Sequence, residues 1–238
     1  MTEGVDVARD GPFTDYPVVL TVVGLRCLVV GGGPVASQRV RGLLESGARV
    51  TVVAPDVEGS ITSLGVQPPG DGPQPDLSRG RVGRPIIEGR HYRAGEAAGY
   101  DLVVTATGDP TVDRTVVADA VAAGVPVASA DRGTPGTIRL PAVHRDGPVT
   151  IAISTGGASP ALARWLRRRI AASLGPDMTA LAMLLDEARR DLQTSGRPTD
   201  SVDWMAVIDQ QVVPLVDDGR IEEARALLRR ITGAAPAG

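Results

Sequence analysis

The chain has 238 residues, long enough for one to two domains with a proper core, and its 25 basic and 28 acidic residues leave a net charge of −3, without the basic excess that nucleic-acid binding rests on. One cysteine, Cys27, and two histidines, His91 and His144, exclude a disulfide framework and a Cys/His metal cage and suit a reducing, cytoplasmic setting. No apolar run approaches the ~20 residues of a membrane span, and the polar start lacks the basic and apolar regions of a signal peptide, so a soluble chain with no membrane partner is expected.

Residues 1–15 show no apolar periodicity and are expected to form a disordered leader. From Tyr16 onward, short β-branched runs at 18–23, 27–30, 50–53, 86–89, 102–105, 125–128 and 149–153 predict strands. Ala36, Val40, Leu43 and Leu44 keep the spacing of one buried helical face, as do Val112, Val116 and Ala120 behind Pro110. With only two Trp, three Tyr and one Phe, the core falls to Val, Ala, Leu and Ile, which suits a parallel sheet buried on both faces. The expected fold class is therefore α/β, with a Rossmann-type parallel sheet over 16–136. Residues 65–84 carry four prolines and five glycines and read as an insertion in a surface loop. After Ser154 the strand signals stop. Ser159 and Pro160 open a helix with Leu162, Leu166, Ile170 and Leu174 on one stripe and Trp165 beside it. Leu181, Leu184, Leu185, Ala188 and Leu192 give a second stripe, and Ile221, Ala224, Leu228 and Ile231 a third, so 158–238 is expected to be helical.

The run from Arg26 to Val30, followed by Gly31, Gly32, Gly33, Pro34, Val35 and Ala36, is a buried strand feeding a glycine turn and a helix, the context that a dinucleotide fingerprint requires. Gly31 permits the tight turn, Gly33 lets a pyrophosphate approach the backbone, and Ala36 lets helix and strand pack closely, with the helix N-terminus facing the phosphates. A second strand ends in Ala54, Pro55 and Asp56, and an acid at Asp56 either meets the adenine ribose, favouring NAD over NADP, or caps the following turn. Thr105 and Thr107 close another strand at the edge where ligands lie, and the expected cofactor is NAD.

Asp131 follows a buried-strand pattern and precedes a loop of turn residues; it reads either as a general base for protons leaving with hydride or as a turn-capping loop residue. Ser154, Thr155, Gly156 and Gly157 lead into Arg164, Arg167, Arg168 and Arg169, an anion cradle suited to a polycarboxylate, with Arg164 expected to point inward. His91 and His144 are isolated from any second metal-type ligand, and no metal site is assigned.

These motifs stand in one order: Tyr16-Pro17, VLTVVGLRCLVVGGGPVA, GARVTVVAP, TATGDPTVD, the Asp131 loop, LPAV and GPVTIAISTGGASPALAR. The order resembles the siroheme synthase N-terminal family, bifunctional precorrin-2 dehydrogenases and sirohydrochlorin ferrochelatases, from about Tyr16 to Arg169. The resemblance implies NAD-dependent oxidation of precorrin-2 to sirohydrochlorin and, in many members, insertion of ferrous iron as co-substrate to give siroheme. It places the family's aspartate at Asp131 and cofactor contacts near Pro34, Val35, Pro55 and Asp56. It further implies a homodimer, with 137–157 as a dimerisation segment and a tetrapyrrole, precorrin-2 or sirohydrochlorin, in the anion cradle. This chain departs from the family at Ala128, where Asn is usual, at Ile138 in place of an aromatic residue, at the following Arg139, and at Thr155 in place of a serine. A non-catalytic NAD-binding sensor and a dehydrogenase of another small acid are the alternative readings.

Overall fold

A computed structural model describes residues 15–64, 83–131, 133–175 and 177–233; of the leader expected over 1–15 and the insertion expected over 65–84, residues 1–14 and 65–82 lie outside the described residues. The chain divides into two compact units, one ending at Leu140 and the other starting at Pro141.

The first unit alternates strand and helix as the apolar pattern predicts. Strand β1 (Arg26–Val30) leads into helix α1 (Pro34–Glu45), β2 (Arg49–Ala54), the short α2 (Gly59–Thr62), β3 (Ile86–Gly89), β4 (Leu102–Thr105), α3 (Pro110–Ala122) and β5 (Val127–Ser129). The five strands are all parallel in the order β3-β2-β1-β4-β5, the doubly wound arrangement expected from the sequence. Central strands β1 and β4 are buried on both faces because 27–30 and 102–104 are unbroken Val, Leu and Cys, with a buried Thr105 closing β4. One face packs Cys27 and Val29 against Ala36, Val40 and Leu44 of α1; the other packs Leu28 and Val30 against Val116 and Ala120 of α3. The alternation along β1 therefore decides which helix each residue meets.

Two predicted strands change. Residues 18–23 form no strand: Val22 alone enters the core, whereas Val18 and Val19 are 73% and 94% exposed. Their apolar run has no ladder partner among the described residues, and the chain turns at Gly24 (φ +76°) before β1 begins. The predicted strand at 125–128 shifts to β5, because the N–H of Val125 still donates to the carbonyl of Ala120 as α3 ends.

The second unit opens with an antiparallel hairpin, β6 (Ala142–Asp146) and β7 (Val149–Ile153), turned by Gly147 (φ +52°) and Pro148. β6 is absent from the sequence reading because His144 and Arg145 interrupt its apolar character. Helices follow as predicted: α4 (Pro160–Ser173), α5 (Met178–Thr194), the short α6 (Trp204–Val207) and α7 (Val213–Asp217) joined by a π turn, and α8 (Ile221–Thr232). Leu184 and Ala188 of α5 meet Ala224 and Leu228 of α8 in a separate core with Val207, Val212 and Val216. The predicted stripe of α4 is helical but not buried. Ala163 is the buried side chain of this helix, and Leu162 and Trp165 are 46% and 48% exposed, since the narrow hairpin covers one side only. No helix among the described residues is long and apolar enough to cross a membrane.

Two outcomes follow from these cores. Replacing Leu228 by Ala removes a side chain locked between α5 and α8 and should destabilise the second unit by about 2–5 kcal/mol, read by urea unfolding. Burial, with Asp101 nearby, pushes the Cys27 thiol up to about 11. The unfolded thiol ionises near its ordinary value of about 8.5 while the folded one stays neutral, so this group takes away stability as pH rises through that window. Cys27→Ala should flatten that alkaline loss, and the native protein should resist a thiol reagent at pH 8 that it consumes once unfolded.

Candidate active site

The backbone ladder of the first sheet runs one residue beyond each strand at its C-terminal edge. Gly31 N–H donates to Val53 O (3.0 Å), Ala106 N–H to Val30 O (2.8 Å) and Ala130 N–H to Thr105 O (2.9 Å). These bonds line up the glycine turn, the loop after β4 and the Asp131 loop along one rim. In a parallel sheet that rim is where ligands bind.

The glycine turn is built by close backbone approach. Gly31 has φ +122°, and a Cβ there would stand 2.3 Å from Ala106 O; at Gly32 it would stand 1.9 Å from Asp56 O. Gly32 also accepts the N–H of Glu58 at 2.9 Å. The third glycine differs: a Cβ on Gly33 would meet nothing within 4 Å. Gly33 is the N-cap of α1, no side chain caps the helix, and Pro34 stands in its first turn without an N–H to satisfy. The uncapped N–H groups behind the open space at Gly33 form a cradle for an anion, which is what the pyrophosphate of a dinucleotide requires. Asp56 is exposed at the tip of β2, and its carboxylate accepts no hydrogen bond from the described residues. Glu58, not Asp56, occupies the N-cap of α2, so the capping role open to Asp56 in the sequence is not the one it takes.

Thr105 and Thr107 turn their hydroxyls inward to a residue the sequence reading left out. Asp113, 1% exposed on the first turn of α3, accepts from Thr105 Oγ1, from Thr107 Oγ1 (2.7 Å) and from Thr107 N–H (3.3 Å). Asp131 is partly exposed in an Asx turn: its carboxylate accepts Gly133 N–H (3.2 Å), and its own N–H donates to Ser129 Oγ (3.1 Å). It has no ion-pair partner among the described residues. Within the same loop Thr134 Oγ1 is buried without a hydrogen-bond partner among the described residues.

Ser154, Thr155, Gly156 and Gly157 belong to the second unit. Ser154 Oγ accepts Gly156 N–H (3.2 Å), Thr155 Oγ1 accepts Ser159 N–H (3.2 Å), and Ser159 caps α4 at Leu162 N–H (3.1 Å). Gly156 and Gly157 both take left-handed conformations, φ +61° and +85°. Arg164 is exposed, and Arg167, rather than Arg164, is the half-buried arginine of α4, because the helix turns its Ala163 side to the hairpin. Arg169 stacks over the Trp165 ring at 5.6 Å. No carboxylate pairs with any of the four arginines among the described residues, and no cluster of three or more His, Cys, Asp or Glu is placed there to hold a metal ion.

A doubly wound sheet with a glycine cradle, an open N-cap and an acid at the second strand tip defines a dinucleotide-binding protein. The chain belongs to the siroheme synthase N-terminal family: the family model described as putative NAD(P)-binding matches residues 18–142, more than half of the chain, and that described as sirohaem biosynthesis protein central matches 146–173. It is 37% identical over 183 residues to the siroheme synthase of Gluconacetobacter diazotrophicus, covering 73% of this chain and 35% of that protein. It is 34% identical over 218 residues to siroheme synthase 1 of Halorhodospira halophila, covering 91% and 42%. The chain thus spans well under half the length of these curated relatives. A solved structure, "SirC, precorrin-2 dehydrogenase", is similar over 91% of this chain and 100% of its own, with a TM-score of 0.68 and 25% identity.

The two kinds of glycine should behave oppositely. Gly33→Ala should leave the unfolding midpoint within about a degree yet weaken NAD binding tenfold or more by calorimetry, since its methyl enters only the ligand's space. Gly31→Ala collides with Ala106 and should lose stability and binding together.

Proposed function

We propose that this chain oxidises precorrin-2 to sirohydrochlorin with NAD, a step of siroheme biosynthesis. The observation that carries the reading is the shared rim, on which the cradle at Gly33 and the carboxylate of Asp131 stand at the ends of parallel strands joined by backbone bonds. Family membership and the likeness to a precorrin-2 dehydrogenase over its whole length support the choice of substrate.

A nicotinamide dinucleotide, when bound, supplies the two-electron acceptor. The chain's own groups do the rest. Gly31, Gly33, Pro34 and Val35 shape the pyrophosphate cradle, Pro55 and Asp56 stand at the adenosine end, and the loop carrying Thr105 and Thr107 sets its floor. Asp131 takes the proton that must leave the macrocycle when its hydride goes to the acceptor, so two electrons and two hydrogens are accounted for. Among the described residues its carboxylate accepts only the backbone N–H of Gly133, which orients it and leaves lone pairs free. Ser154, Thr155, Gly156, Gly157 and Arg164 hold substrate carboxylates, a role to which unpaired arginine suits α4. A homodimer joined through 137–157 would cover the exposed Leu162 and Trp165. Ferrous iron as a second substrate, inserted into sirohydrochlorin, belongs to the same reading, as does a reducing cytoplasm around the buried thiol of Cys27.

Incubating the protein anaerobically with precorrin-2 and NAD should produce NADH together with the spectrum of sirohydrochlorin, and added ferrous iron should then be consumed faster than the spontaneous rate. Bound NAD with no NADH formed would favour the sensor reading instead. Asp131→Ala should lower kcat about a hundredfold or more while the NAD dissociation constant stays within twofold. Full activity in that variant would remove Asp131 from the mechanism.

A further inference from the structure

We infer that Asp113 is the positioning residue of the dinucleotide pocket, holding the loop after β4 at the height that the glycine turn needs; the inference rests on the dinucleotide reading above. Asp113 touches no part of the rim's open space. Its Oδ1 alone accepts all three hydrogen bonds, from the hydroxyls of Thr105 and Thr107 and from Thr107 N–H. No cation pairs with it among the described residues, and it is 1% exposed, so a carboxylate is kept in the interior on hydrogen bonds alone.

Starting α3 does not account for it. The N-cap of this helix is Asp109, whose own side chain already accepts Thr111 N–H (2.8 Å) and Val112 N–H (3.4 Å). What Asp113 secures is the loop itself: Thr107 Oγ1, its one hydrogen given to Asp113, also accepts Asp109 N–H (3.0 Å). The loop so fixed puts Ala106 O against the position a Gly31 Cβ would take. Both threonine hydroxyls are thereby committed to the protein, and what the loop offers a ligand is backbone. Gly108 ends that backbone in a left-handed turn (φ +76°) with nothing within 4 Å of where its Cβ would stand. Thr105 and Thr107 serve the cofactor through the loop's shape, and Asp113 sets that shape.

Because one oxygen takes every bond, a carboxamide oxygen can replace it, whereas removing the group takes the acceptor from one buried and two part-buried donors. The test is NAD affinity by calorimetry, with urea unfolding alongside, for the parent, Asp113→Asn, Asp113→Ala and Thr107→Val. Asp113→Ala should weaken NAD tenfold or more and Thr107→Val several-fold, with kcat at saturating NAD and the KM for the tetrapyrrole held within twofold. Asp113→Asn should stay within twofold of the parent throughout. Should the alanine variant not fold, the asparagine and valine variants decide. Thr107→Val binding NAD like the parent, or Asp113→Asn losing NAD tenfold, overturns the inference, as does lowered stability with unchanged NAD affinity in the folded alanine variant. The binding arm needs no tetrapyrrole. A parent that binds NAD without oxidising precorrin-2 therefore refutes the reaction and leaves Asp113 in its role; a parent that oxidises precorrin-2 beside variants of equal NAD affinity does the reverse.

Discussion

The fold of the first unit turns on one constraint: at the C-terminal edge of β1 three chain segments come closer than any side chain would permit. Gly31 lies against Ala106 and Gly32 against Asp56, each with less room than a methyl group needs. That closeness lets the neighbouring ladders run on past the strands and brings the ends of β2, β1, β4 and β5 into one rim. What the first unit offers a ligand is hung on that rim, and the cradle at Gly33 is open because the turn beneath it is closed.

A site made of backbone depends on whatever holds the backbone. Helix α1 contributes an uncapped N-terminus because Gly33 has no side chain to cap it, and its other face is fixed by Ala36, Val40 and Leu44 in the core. The loop after β4 packs Ala106 against the same core, and polar bonds to a buried carboxylate hold Thr107 beyond it. The second unit reaches a comparable result by turn chemistry. The hydroxyls of Ser154, Thr155 and Ser159 close around two left-handed glycines, and the arginines of α4 follow directly in sequence.

The elements that the sequence made legible are those whose burial leaves one reading. β1, β2 and β4 are continuous apolar runs ended by glycine, alanine or threonine, and α5 and α8 carry stripes that only a helix aligns. Residues 18–23 mislead for a physical reason: β-branched composition states a preference for extended chain but not the presence of a neighbour to pair with. The hairpin strand β6 was hidden by His144 and Arg145, although Asp146-Gly147 is the dipeptide of a tight hairpin turn and was available as a signal. Asp113 was hidden more deeply. An acid in the first turn of a helix is the commonest favourable placement there, so nothing in the string separates a solvated charge from a buried hub until the threonines are seen to face it.

Two carboxylates near the same rim show how environment assigns chemistry. Asp113 is enclosed, accepts from two hydroxyls and an N–H on one oxygen, and has its position fixed by all three. Those bonds hold the loop, so the group is suited to support. Asp131 is partly exposed, held by a single backbone N–H, and paired with no arginine among the described residues. Such a group keeps lone pairs for a substrate and can move a proton without loosening its neighbours. The two also differ in what their loops contain: threonine hydroxyls point at Asp113, whereas Gly133 gives Asp131 only its backbone. The division follows from packing, since Asp113 is carried by α3, which packs on the sheet, while the chain after β5 turns through Gly133 with no helix before β6. Of the two acids, the one with the richer hydrogen bonding is thus built for support, and the sparsely bonded one is the group that the proposed reaction uses as its base.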